Sequence, residues 1–101
     1  MRHITPERLE ELGPLLERLR RIDELTEKRP GGFSVKSRAF LHFHEDPAGL
    51  FADVRLDGSE FTRMPVSDPA EQDALIAAIE ATLASAALAK PYPAARRSRS
   101  S

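Results

Sequence analysis

Between Ala39 and Leu56 the chain places an apolar residue at every second position twice over. The two runs are Ala39, Leu41, Phe43 and Leu50, Ala52, Val54, Leu56, separated by Glu45-Asp46-Pro47-Ala48-Gly49. Successive side chains of a strand point to opposite faces, so each run lays one apolar row on one side of a sheet. Pro47 presets its own φ and Gly49 tolerates a positive one, which makes the interruption a turn. Directly opposed residues share a face, so the register must set apolar against apolar. With His44 opposite Gly49, the pairs are Phe43–Leu50, Leu41–Ala52 and Ala39–Val54. A shift by one residue would instead set Leu41 against Asp53. The favoured register leaves Arg38, Phe40, His42 and His44 on the other face, beside Phe51, Asp53 and Arg55 of the next strand.

The flanking segments read as helices and further strands. Thr5-Pro6-Glu7 has the form of a helix start, with Thr5 as N-cap and Pro6 in the first turn. Gly13-Pro14 predicts a kink or restart, after which Leu15, Leu16, Leu19, Ile22 and Leu25 recur at helical spacing. Arg29-Pro30-Gly31-Gly32 predicts a loop, Phe33-Ser34-Val35 a short strand, and Lys36-Ser37 a tight turn into the central hairpin. Asp57-Gly58 is a two-residue hairpin signal that would pair Arg55 with Glu60 and Val54 with Phe61. The strand after it should end at Pro65, which cannot donate to a ladder. Asp68-Pro69-Ala70-Glu71 opens a last helix with a capping-box pattern, and Leu75, Ile76, Ile79 and Leu83 form its apolar stripe. The expected fold is α+β: a two-layer domain over residues 1–90, an antiparallel meander of three or four strands with an N-terminal and a C-terminal helix on one face. Residues 91–101 read as a disordered basic tail.

Charge narrows the partners. The net charge of −1 divides into +4 over residues 90–101, from Lys90, Arg96, Arg97 and Arg99, and −5 over residues 1–89. An acidic folded part is a poor grip for a phosphate backbone, so nucleic acid is possible but not favoured. With no cysteine, disulfides and thiolate metal sites are excluded. No stretch approaches the ~20 apolar residues of a membrane span, and the first residues lack the apolar run of a signal peptide; a cytoplasmic protein with no membrane partner is expected.

The segment Arg38–Arg55, preceded by Leu25-Thr26-Glu27-Lys28-Arg29-Pro30-Gly31, resembles a family of short bacterial α+β proteins to which no chemistry is assigned. More remotely, the chain is similar to MmcQ/YjbR-like proteins. The likeness lies in the N-terminal helix, Thr26-Glu27, the short strand–turn–strand of Phe33–Val35 and Arg38–Phe43, the Gly49-Leu50 strand start and the closing helix. It implies a double-wing α+β fold and, for those proteins, a DNA-binding label; the Trp-containing segment usual before their last helix is missing here.

The outer sheet face holds the residues that can carry chemistry. His42-x-His44 sets two imidazoles on one side of a strand, and Asp53 can complete a two-histidine, one-carboxylate set for a divalent metal. The competing reading is of partly buried, hydrogen-bonded histidines and a structural ion pair of Asp53 with Arg38 or Arg55. Lys36, Arg38 and Arg55 are the candidate contacts for an anionic ligand or nucleic acid. Glu45 and Asp46 read as turn residues, and His3 as a solvated terminal residue. Phe40, Phe51 and Met64, exposed on one face, would suit a homodimer. No Ser/His/Asp arrangement or glycine-rich phosphate loop is present, so no catalytic residue is assigned and an enzyme is not the leading reading. That reading is a small binding or interaction protein acting through the exposed sheet face. DNA binding of the YjbR-like kind and a metal-dependent enzyme are its alternatives.

Overall fold

A computed structural model describes residues 2–57 and 60–89. The expected tail, residues 91–101, lies outside them, as does Gly58 of the expected Asp57-Gly58 turn. The elements run β1 (Arg2–His3), α1 (Pro6–Glu10), α2 (Gly13–Arg20), β2 (Thr26–Arg29), β3 (Gly32–Val35), β4 (Arg38–Asp46), β5 (Gly49–Val54), β6 (Thr62–Pro65) and α3 (Pro69–Ala89). The fold is α+β. Its antiparallel sheet has the order β2-β3-β4-β5-β6, with β1 added alongside the second half of β4. The meander is therefore longer than three or four strands by two short ones, β1 and β2.

Local chemistry accounts for the helix ends. Thr5 Oγ1 accepts the N–H of Arg8 at 3.3 Å, and Gly13-Pro14 restarts the chain as α2. That helix stops at Arg20, short of the expected end, and Leu25 is buried in the loop beyond it. At α3 the Asp68 carboxylate accepts the N–H of Glu71 at 2.8 Å, while the Glu71 carboxylate accepts the N–H of Ser67 at 2.9 Å. The first turn of α3 is thus held from both sides.

Both long helices cover one face of the sheet. Leu15 and Leu19 of α2, Leu75 and Ile79 of α3, and Leu41, Phe43, Leu50, Ala52 and Val54 of the hairpin form one buried cluster. Each fully buried leucine contributes ~1.5–3 kcal/mol, whereas the exposed Arg18–Asp73 pair between the helices contributes ~1 kcal/mol at most. Apolar burial, not that ion pair, holds the layers together.

The central hairpin keeps the expected faces in a different register. Asp46 opposes Gly49, Phe43 opposes Ala52, His42 opposes Asp53 and Leu41 opposes Val54, two residues from the expected pairing. The turn is only Pro47-Ala48, supported by the Asp46 carboxylate accepting the Ala48 N–H at 3.0 Å. A shift of two preserves which side chains share a face, so His42, His44 and Asp53 still lie together.

Two other irregularities change the outer face. Phe33 opposes Leu41 but Ser34 opposes Ala39, so β4 carries one extra residue, Phe40, against β3. This bulge re-aims Phe40 into the core, where it is 6% exposed, and turns Ala39 outward. The connection after β5 is also longer than a two-residue turn: Val54 opposes Thr62 and Asp53 opposes Arg63. That slip by one residue sends Met64 to the core side opposite Ala52, and Phe61 and Arg63 outward. The expected homodimer patch of Phe40, Phe51 and Met64 therefore does not exist as a surface: two members pack inward and Phe51 is half-buried. Among the described residues Phe61 is the only large apolar side chain counted as exposed.

Glu45 is not a turn residue. It lies inside β4, opposite Leu50 and Arg2, and its carboxylate is buried. Oε1 accepts the Thr5 N–H at 2.9 Å and the Thr5 hydroxyl at 3.1 Å; Oε2 accepts Arg2 Nη2 at 2.8 Å and Nε at 3.1 Å. One side chain thus fixes both β1 and the start of α1. The Thr5 N–H, with Arg2, holds the Glu45 carboxyl below its ordinary pKa of 4.5. A carboxyl depressed in the folded state stabilises it above the unfolded pKa, and that contribution is lost as pH falls through the folded value. Wild type is therefore expected to outlast Glu45→Gln in urea at pH 6, with the gap closing steadily below about pH 4.5. Urea midpoints of both proteins across pH 3–7 check this; a gap independent of pH would show that the carboxylate is not the clamp.

Candidate metal centre

Two rows of side chains cross the outer face. In one, His3 of β1 opposes His44 of β4, which opposes Phe51 of β5. In the other, His42 of β4 opposes Asp53 of β5, which opposes Arg63 of β6. The ligand atoms of His42, His44 and Asp53 lie within 4.8 Å of one another, the only such trio of His, Cys, Asp or Glu among the described residues. Asp53 Oδ2 is 3.1 Å from His44 Nε2 and 3.6 Å from His42 Nε2. Donor atoms that share one ion at ~2.1 Å stand roughly 3.0–3.6 Å apart for angles between 90° and 120°. Both nitrogen–oxygen distances match that span.

The partners of these groups set their charge and orientation. His44 Nε2 is buried, stands 3.1 Å from Asp53 Oδ2 and makes no hydrogen bond among the described residues. A buried ring nitrogen without a partner costs ~1–3 kcal/mol unless something else occupies it. Burial first, and then the neighbouring His44, holds the His42 imidazole below its ordinary pKa; the Asp53 charge only partly offsets them. His42 is therefore neutral at pH 7, the form that ligates a metal.

Asp53 is ionised. Arg63 grips it bidentately, Nε to Oδ1 at 2.9 Å and a terminal nitrogen to Oδ2 at 3.0 Å, and holds its carboxyl below the usual range. Two donors occupy two of the four acceptor directions of a carboxylate and leave the others for the imidazole side. Arg63 thus orients Asp53 in the way an outer partner orients a metal-binding carboxylate.

The cationic candidates lie elsewhere. Arg55 stacks over the Phe61 ring at 4.3 Å and its Nε donates to the Ala39 carbonyl at 2.9 Å. Arg38 and Arg55 border a cavity of about 440 Å³ between the β4–β5 end and α3, away from the histidines. Lys36 sits in the tight turn at φ +52°. None of the three joins Asp53; the ion pair expected of Arg38 or Arg55 is made by Arg63, which the slipped β6 register brings across. The other unforeseen member is His3. Its ring stacks on His44 at a centroid distance of 5.0 Å and lies 6.1 Å from His42.

No protein-family model matches the chain, and neither a curated protein nor a solved structure matches it. The functional reading therefore rests on the geometry. No helix among the described residues is long and apolar enough to cross a membrane.

Proposed function

We propose that the protein binds a divalent transition metal on the outer face of its sheet, through His42, His44 and Asp53, and acts through that face. The observation that carries this reading is the convergence of the ligand atoms of His42, His44 and the ionised Asp53 within 4.8 Å of one another, with His44 Nε2 buried 3.1 Å from Asp53 Oδ2. Two imidazoles with one carboxylate suit zinc, ferrous iron or nickel better than magnesium or calcium, which prefer all-oxygen sets. Three protein ligands leave positions open for a small molecule or water, so the bound ion is a Lewis-acid binding site for an exogenous ligand. A cavity of about 350 Å³ adjoins His3 and His42, with Arg29 at its edge. The nucleic-acid alternative has less support, since residues 1–89 carry −5 and Arg55 is already engaged.

Calorimetric titration of zinc into the untagged, chelator-treated protein tests the reading. Saturable binding at one ion per chain is expected. Absence of heat together with an unchanged melting temperature at millimolar zinc would end it.

A further inference from the structure

The cavity bordered by Arg38 lies on the helix side of the sheet, away from the histidines, and its wall and rim differ in character. It holds about 440 Å³, within the ~300–1,000 Å³ usual for small-molecule sites. Val35, Phe40, Leu56 and Leu83 make its apolar wall, with Phe40 delivered there by the bulge in β4. The Thr82 hydroxyl donates to the Leu56 carbonyl at 3.2 Å, which ties α3 to the chain beyond β5 and fixes that wall. Arg38 stands at the rim. It opposes Val35 across the two-residue turn of Lys36 and Ser37, both at positive φ, so it shares the face of Val35 and not that of His42. Arg38 is exposed and makes no hydrogen bond or ion pair among the described residues. Arg55, at the same rim, is engaged with the Ala39 carbonyl and the Phe61 ring, and Asp57 adds one negative charge.

We propose that this cavity binds an apolar monocarboxylate of the medium-chain fatty acid class, its chain against Val35, Phe40, Leu56 and Leu83 and its carboxylate on Arg38. The inference is independent of the metal site. Burial favours the chain in proportion to the apolar area it removes from water. The Arg38 guanidinium offers two parallel N–H donors, which match a carboxylate. Asp57 repels a second negative charge, and this sets a monoanion above a phosphate-ester dianion. The wall alone accepts many apolar molecules; the acid group is what Arg38 selects.

Calorimetric titration of decanoate into the full chain, with methyl NMR to locate it, tests the proposal. Saturable binding at one molecule per chain is expected, with shifts at the methyls of Val35, Leu56 and Leu83. Decanol should bind about fivefold more weakly, the share that an ion pair at a solvated rim can supply. Arg38→Gln should bring decanoate down to the affinity of decanol and leave decanol unchanged. Ser85→Trp, at an exposed position of α3 beside the cavity, should fill it and weaken both ligands at least about tenfold. No saturable binding of decanoate, or shifts confined to other methyls, would overturn the site. Equal affinity of the wild type for decanoate and decanol would overturn the choice of an acid, and tighter binding of decyl phosphate than of decanoate would overturn that of a monoanion.

Discussion

His44→Ala is expected to abolish the rise in melting temperature that zinc confers on the wild-type protein. A ligand that binds only the folded state, present at a hundred times its dissociation constant, stabilises by ~2.7 kcal/mol. For a chain of this size each kcal/mol moves the melting temperature by ~4–8 °C, so the wild-type shift should be on the order of 10 °C or more. Without zinc, the same substitution should cost little. The His44 side chain is only 13% exposed, but its Nε2 makes no hydrogen bond, and its neighbour Asp53 stays held by the two bonds from Arg63 when the ring is removed. This contrast between a small effect on the metal-free protein and a large one on the loaded protein separates a ligand from a packing residue. Phe61→Ala is the control: its ring also contacts His42, edge-on at 4.8 Å, yet it offers no donor atom and should keep the zinc shift. Differential scanning fluorimetry with and without zinc reads all three proteins. A His44→Ala protein that still gains several degrees would place the ion elsewhere.

What the sequence foretold here depends on parity. A period of two states which residues share a face, and any even error in register preserves the answer. The hairpin was misplaced by two residues, yet Leu41 and Phe43 lie under the helices and His42, His44 and Asp53 lie together on the outside. An odd error reverses it. The register of β6 on β5 is one residue out of step with a two-residue turn, and that alone exchanged the faces of Met64 and Arg63. The homodimer patch was lost for that reason, and Arg63 was missed as the partner of Asp53. The bulge at Phe40 is the same error made locally: no propensity marks where a strand will take one residue too many.

β1 and β2 were illegible for another reason. Two residues cannot show a period, and Thr26-Glu27-Lys28-Arg29 is polar throughout because it forms a mostly exposed edge. Glu27 gives β2 its support instead: its carboxylate accepts Arg20 Nε at 2.7 Å and the Gly31 N–H at 3.0 Å. Such side-chain clamps, like that of Glu45 on Thr5 and Arg2, link residues far apart in the chain. They become visible only once the sheet has placed them.

Gly49→Ala should be the most destabilising single-methyl change in the hairpin, because two independent costs meet at that position. Gly49 has φ +144°, a region closed to side chains of L residues, and penalties for such backbone strain run ~1–3 kcal/mol. A Cβ there would also overlap Ser67 Oγ. That hydroxyl accepts the Leu50 N–H at 3.0 Å, so displacing it strands a donor at the start of β5, worth roughly 1 kcal/mol more. The sum is about 2–4 kcal/mol, enough to lower the melting temperature by ~8–30 °C. Ser67→Ala separates the two costs. In that background the overlap is relieved and only the backbone strain remains, so Gly49→Ala should cost about 1 kcal/mol less than in wild type, a coupling that a double-mutant cycle in urea measures. The consequence reaches the outer face, because the two-residue turn ending at Gly49 sets the register that places His42 opposite Asp53 and His44 opposite Phe51. A Gly49→Ala protein as stable as wild type would mean that the chain turns differently there. The pairing on which the metal centre stands would then have to shift with it.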